Sequence, residues 1–182
     1  MTRDQQLLAQ LRTYEPYDAA EEEHRRAMVS LLSNTRDPFS RAHFVPGHFT
    51  ASCFIVDDRG RLLLHHHRRL DRWLQMGGHV EHDEAPHVAA LREGAEESGL
   101  HDLALGDAIF DLDIHAIPAG RGEPDHHHFD IRYVARTATP ESVQRDASES
   151  NELAWVSLER AAELMRGDES LRVLRKIERS LT

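Results

Sequence analysis

Cysteine and lysine are nearly missing from this chain: Cys53 and Lys176 stand alone among 182 residues. A single thiol excludes an internal disulfide and a thiolate zinc cluster. A single lysine, in a C-terminal segment that reads as helix, argues against Schiff-base chemistry and a phosphate-loop lysine. The motifs G-x-x-x-x-G-K-[ST] and G-x-G-x-x-G are also absent. Positive charge is scarce overall, with 22 Lys and Arg against 32 Asp and Glu. The net charge of −10 excludes loose binding to a nucleic-acid polymer, because no basic surplus neutralises its phosphates. A phosphorylated ligand would need local help from a cation or an arginine cluster. No apolar run approaches the roughly 20 residues that span a bilayer, and the opening MTRDQQLLAQ lacks the apolar core of a signal peptide. A cytoplasmic protein with no membrane partner is the expectation.

What is present divides into two parts. Leu7, Leu8 and Leu11 mark a short amphipathic helix. Ala27, Met28, Leu31 and Leu32 mark a second, introduced by the acidic run Glu21–Glu23. Asp37-Pro38 and Val45-Pro46-Gly47 then break helix, so residues 1–46 read as a helical N-terminal extension too short for a core of its own. Residues 47–182 form the main domain. HFTASCFIV (His48–Val56) and RLLLHHH (Arg61–His67) flank a turn at Asp57-Asp58-Arg59-Gly60 and predict a hairpin. Further strands are expected over Asp107–Pro118, His128–Ala135 and Glu152–Val156, followed by a helix from Leu158 to about Met165 and a last one carrying Leu171, Leu174, Ile177 and Leu181. Strands and helices mix without regular alternation, which favours an α/β fold with a mixed sheet between helices.

The stretch GGHVEHDEAPHVAALREGAEESGL (Gly77–Leu100) crowds Glu81, Asp83, Glu84, Glu93, Glu96 and Glu97 together. Asp83 is placed to cap a helix, Pro86 is tolerated in its first turn, and Gly99 ends it as a left-handed residue. At about 100° per residue, Glu93, Glu96 and Glu97 share one arc, with Val88, Leu91 and Ala95 opposite and facing the sheet. Like charges one turn apart destabilise a helix by about 0.2–0.5 kcal/mol per pair. Two readings account for the cost: a solvated acidic face, or a face built to meet a divalent cation and then a phosphate.

The full spacing adds to this. Gly78, five residues, Glu84, seven residues, Arg92-Glu93, then Glu96-Glu97 and Gly99-Leu100 resembles the signature of the Nudix hydrolases, with Gly78–Leu100 as the Nudix box. The segments His48–Glu81 and Glu149–Ala161 resemble the hairpin before the box and the strand and helix after it. Gly94 departs from the usual aliphatic residue, and Met76 from the usual proline. The resemblance implies an α/β/α sandwich and a metal-dependent hydrolase, with Mg2+ or Mn2+ as cofactor, that cleaves the pyrophosphate linkage of a nucleoside diphosphate joined to another moiety. It implies metal ligation by Glu93, Glu96, Glu97, the Gly77 carbonyl and a later acid, with Glu149 the best match and Glu152 second. Arg92 would orient the glutamates, and Glu96 is favoured as general base over the other box glutamates and Glu149. The expected partner is a small phosphorylated metabolite or nucleotide, and the extension could mediate a homodimer.

Other residues stay open. Arg68, Arg69 and Arg72 are the basic cluster closest to the box and either meet a phosphate or lie in a solvated loop. His79 either approaches the phosphates or caps its loop. His65-His66-His67 and His126-His127-His128 permit a zinc site of four imidazoles if their strands are neighbours; the favoured alternative is edge or surface histidines in water or against a ligand. Trp73 and Trp155 are expected to pack. Two other functions compete: a Nudix-fold ligand-sensing or binding module with little or no turnover, and an isomerase resembling isopentenyl diphosphate isomerase. The latter needs a loop cysteine, whereas Cys53 falls in the first strand.

Overall fold

The computed structural model describes residues 2–120, 122–145, 148, 150–165 and 167–181. Helices α1 (Arg3–Thr13) and α2 (Ala19–Asn34) come first, then strands β1 (Gly47–Val56), β2 (Leu62–His67), β3 (Arg72–Leu74) and β4 (Met76–His79). Helix α3 (Pro86–Ser98) follows, then β5 (Ala104–Leu105), β6 (Asp111–Ile117), β7 (His126–Arg136), β8 (Ser150–Val156), α4 (Leu158–Met165) and α5 (Asp168–Leu181). The strands form one mixed sheet. Its central path runs β3-β2-β1-β7-β5, with β4 on β1, β6 on β7 and β8 on β2. The expected hairpin forms, with Ile55 opposite Leu63. Strand β1 splits one edge between β4 and β2, and its other edge pairs in parallel with β7 along its whole length. Among the described residues no helix is long and apolar enough to cross a membrane.

Strand alternation explains the layers. Phe49, Ala51, Cys53 and Ile55 of β1 join Phe129, Ile131 and Tyr133 of β7 in a core covered by α1, α2 and α3. Phe54, Val56, Leu62 and Leu64 point the other way, against Val173, Leu174 and Ile177 of α5. The remaining positions on that second face are polar and buried: His48, Thr50 and Ser52 of β1, and Asp130 and Arg132 of β7. Arg132 reaches Asp113 at 2.8 Å, Asp130 at 3.1 Å and Asp111 at 3.4 Å. Arg172 of α5 binds Asp111 from the far side. Lys176 adds Asp111 at 3.1 Å and Glu21 of α2 at 2.7 Å. Glu21 is fully buried and also accepts from the Tyr14 hydroxyl and the Leu112 amide. Hence α2 is fastened to α5 and β6 by charge as well as by apolar contact.

Helix α3 departs from its expected facing. Its buried residues are Pro86, Ala89, Ala90, Gly94, Glu97 and Ser98, while Val88 is exposed. Small side chains, not the branched ones, face the sheet, because the helix lies close to it. A Cβ on Gly94 would stand 2.7 Å from the Cys53 sulfur, so this sulfur fills the space the usual aliphatic residue would take. Alanine at 94 gains about 1 kcal/mol of helix propensity but meets an overpacking cost of about 1–3 kcal/mol. Gly94→Ala is therefore expected to destabilise the protein, and in a Cys53→Ala background to become neutral or stabilising. Denaturant midpoints of the four-member cycle check this; strict additivity would remove the explanation. The expected cap is also corrected. Asp83 sits in an exposed turn at φ 62°, and Ala85 precedes the helix without a side-chain cap bond. Pro86 at the first position and Gly99 at φ 72° stand as expected.

Candidate active site

The box carries its glycines for two different reasons. Gly77 lies opposite Ser52 in the β1–β4 ladder, and a Cβ there would meet Ser52 Cβ at 2.3 Å. Gly78 faces α3 instead: a Cβ there would meet the Glu93 carboxylate at 2.5 Å. The loop and the helix thus approach so closely that a carboxylate occupies the place of a side chain.

Arg92 organises the acids. Its guanidinium binds Glu84 through two parallel bonds of 3.0 Å and Glu93 at 2.9 Å. It also reaches Glu96 at 3.2 Å and the His79 carbonyl at 3.0 Å. Bonds to Glu84 hold the guanidinium charged above its usual range against a burial penalty. Burial pushes Glu84 the other way, but Arg92 and the Glu81 amide outweigh it and keep the carboxylate below its usual range. Glu84 belongs to the signature spacing, yet its task as Arg92's partner across the loop was not anticipated.

The three glutamates of α3 grade from dry to wet. Side-chain exposure is 5% for Glu97, 16% for Glu93 and 60% for Glu96. Glu97 accepts from the Gly77 amide at 2.8 Å. On its other side His65 Nδ1 stands 3.8 Å from Oε1 and 2.8 Å from Ser150 Oγ. Burial lowers the His65 pKa to about 4, so the ring beside Glu97 is neutral. Glu149, the later acid named above, lies outside the described residues; Glu152 is exposed on β8 opposite His66. Arg68, Arg69 and Arg72 are all exposed around the β2–β3 turn. Trp73 and Trp155 pack against the cores, Trp155 donating to the Pro140 carbonyl at 2.9 Å.

The histidine expectations need correction. Strands β2 and β7 are separated by β1, so His65 and His67 do not meet His126 and His128. Nor do these rings all sit at a wet edge, since His65 and His126 are buried. His126 and His128 instead gather with His48 and His79 on the polar face of the sheet. Burial lowers the pKa of His48, of His79 to about 3 and of His128 to about 2, so these rings are neutral. Cys53 is fully buried, its thiol donating to the Ala90 carbonyl, and burial raises its pKa. It offers no reactive thiolate to an isomerase.

A family profile described as NUDIX domain matches residues 46–177, covering β1 through most of α5. The chain belongs to the Nudix hydrolase superfamily. A CMP-5'-(N-acetyl-N-hydroxy-3-aminopropyl)phosphonate hydrolase from Streptomyces rubellomurinus is 30% identical over 128 residues. That match covers 68% of this chain and 58% of the relative, so less than two thirds of the relative's length is spanned. A Clostridium perfringens hydrolase of the NUDIX family superposes with a TM-score of 0.56 at 29% identity, covering 73% of this chain and 97% of its own. A C. elegans Ap4A hydrolase in a binary complex superposes with a TM-score of 0.60, covering 73% of this chain and 96% of its own; at 23% identity it speaks to the fold alone. Nudix hydrolases generally use divalent metals, and the residues here fit one. The donors in this Nudix box are hard carboxylate oxygens, and a glycine yields its side-chain space to one of them.

Proposed function

We propose that this chain is a metal-dependent hydrolase that cleaves the pyrophosphate linkage of a nucleoside diphosphate joined to another group. The observation that carries the reading is the Arg92 cluster: one part-buried guanidinium holds Glu84, Glu93 and Glu96 within 3.2 Å. A solvated acidic face has no need of such an organiser. The residues proposed to hold Mg2+ or Mn2+ are Glu93, Glu96, Glu97 and the Gly77 carbonyl, with Glu149 as a further acid. A bound divalent cation neutralises charge on phosphate oxygens and on the leaving group.

The chain's own residues take the remaining work. Glu96 is the most open to water of the three α3 glutamates and stands on Arg92, which suits it to accept a proton from the attacking water. Arg92 is proposed to position the acids through its bonds to Glu84, Glu93 and Glu96. Arg68, Arg69 and Arg72, on their exposed turn, and His79, next to Gly78, are the residues proposed to meet the outer phosphates. The family match begins at residue 46, which supports reading 47–182 as the hydrolase domain and 1–46 as an extension. The curated relative's substrate by name, a CMP-linked phosphonate, carries a nucleotide, which supports that substrate class here.

The test is a panel of ADP-ribose, nucleotide sugars, nucleoside triphosphates, dinucleoside polyphosphates and CMP-linked phosphonates, each with Mg2+, Mn2+ or chelator. Metal-dependent release of a nucleoside monophosphate from at least one member is expected. Silence across the panel would turn the assignment to the binding-module reading.

A further inference from the structure

Five histidines share the polar face of the sheet near the start of β1, and pairing register puts them there. His48 is the parallel partner of His128, and His115 is the antiparallel partner of His128. His126 lies two residues along β7 and therefore on the same face. His79 enters from β4, opposite Thr50. The rings of His48, His126 and His128 are mutual neighbours, with centroids 5.1, 5.0 and 5.2 Å apart. One ring nitrogen from each of the three lies within 4.8 Å of the other two. Tetrahedral zinc with Zn–N bonds of about 2.0–2.1 Å spaces its nitrogens roughly 3.3 Å apart, a closure within reach of small side-chain rotations.

Two further details point to a ligand. The His48 Nδ1 faces the His43 carbonyl at 3.2 Å, and the His126 Nδ1 faces the Pro124 carbonyl at 2.9 Å. Each ring therefore donates from Nδ1 and presents the lone pair of Nε2, the arrangement in which a carbonyl fixes a metal-binding imidazole. The His48 Nε2 is also buried and has no hydrogen-bond partner. Buried polar atoms of folded proteins are nearly always satisfied, and such an orphan calls for an occupant.

We propose that His48, His126 and His128 form a site for a zinc-class transition-metal ion, separate from the box carboxylates, with His79 and His115 flanking it. The two sites differ in donor chemistry. Imidazole nitrogens select zinc, copper or nickel, whereas the box oxygens suit magnesium or manganese. An ion on the histidines ties the start of β1 to β7 and to the segment ending at Pro124, and fixes the His48 ring that stacks on the ring of His79. The inference does not depend on the proposed hydrolysis.

Full-length protein is freed of metal, returned to saturating Mg2+ and titrated with Zn2+ by calorimetry. X-ray absorption is then recorded on the zinc-loaded sample. One equivalent is expected, with multiple scattering from three imidazoles. Affinity should fall at least about 10-fold in His126→Ala and stay unchanged in Glu97→Gln. An oxygen-only shell, or zinc binding lost in Glu97→Gln but kept in His126→Ala, would overturn the site. The absorption spectrum of the unmutated protein decides the matter if His126→Ala does not fold.

Discussion

Glu97→Gln is expected to lower kcat on the order of 100- to 1,000-fold, corresponding to about 2.7–4 kcal/mol of lost transition-state stabilisation. The substitution removes the charge and keeps the shape. Its amide oxygen still accepts from the Gly77 N–H, now 2.8 Å from the carboxylate, so the fold and melting temperature should hold. The concentration of Mg2+ giving half activity should rise. Steady-state rates across a metal titration, with circular dichroism as the fold control, separate these effects. Undiminished turnover would remove Glu97 from the proposed chemistry. A large loss of structure would mean that the residue serves the β4–α3 contact instead.

Arg132→Met is expected to be the most damaging single change to stability. Its guanidinium is the shared partner of three buried aspartates, and removing one side of a buried ion pair costs about 3–5 kcal/mol. For a chain of this length that lowers Tm by roughly 6–20 °C. The loss should depend on pH. Burial raises the pKa values of Asp111 and Asp113, but Arg172 and Arg132 on the first, and Arg132 and His115 on the second, more than reverse it. Their folded pKa values thus lie below the unfolded value of about 3.9. Stability from these pairs is complete above that pH and is lost as pH falls toward the folded values. The gap between the two proteins should therefore be full at neutral pH and narrow below about pH 4. A gap independent of pH would show that Arg132 acts by packing alone.

Much of this architecture was legible because it is written locally. The β1–β2 turn, the Gly99 cap, the helices after β8 and the box spacing each depend on residues within a few positions of one another. The facing of α3 was misread for a physical reason. Val88 and Leu91 carry more apolar surface than Ala89, Ala90 and Gly94, yet a helix that must bring Glu93 to Gly78 has room only for small residues beneath it. Non-local partners were harder still. Nothing near Glu21 announces Lys176, and nothing near His48 announces His128, because both meetings depend on strand and helix placements far along the chain. The buried cluster of Asp111, Asp113, Asp130, Arg132 and Arg172 read as ordinary strand and helix charge.

One ammonium group joins α2, β6 and α5, and shortening the chain at either end should be felt at the other. Cutting away α1 and α2 would leave Lys176 and Asp111 facing solvent along a raw seam, with the Tyr14 and Glu21 groups gone. Cutting back α5 would strand the Glu21 carboxylate beneath a lost lid. A fragment trimmed to the matched segment is thus not a minimal enzyme but a wounded one, and its weak behaviour should not be blamed on the box.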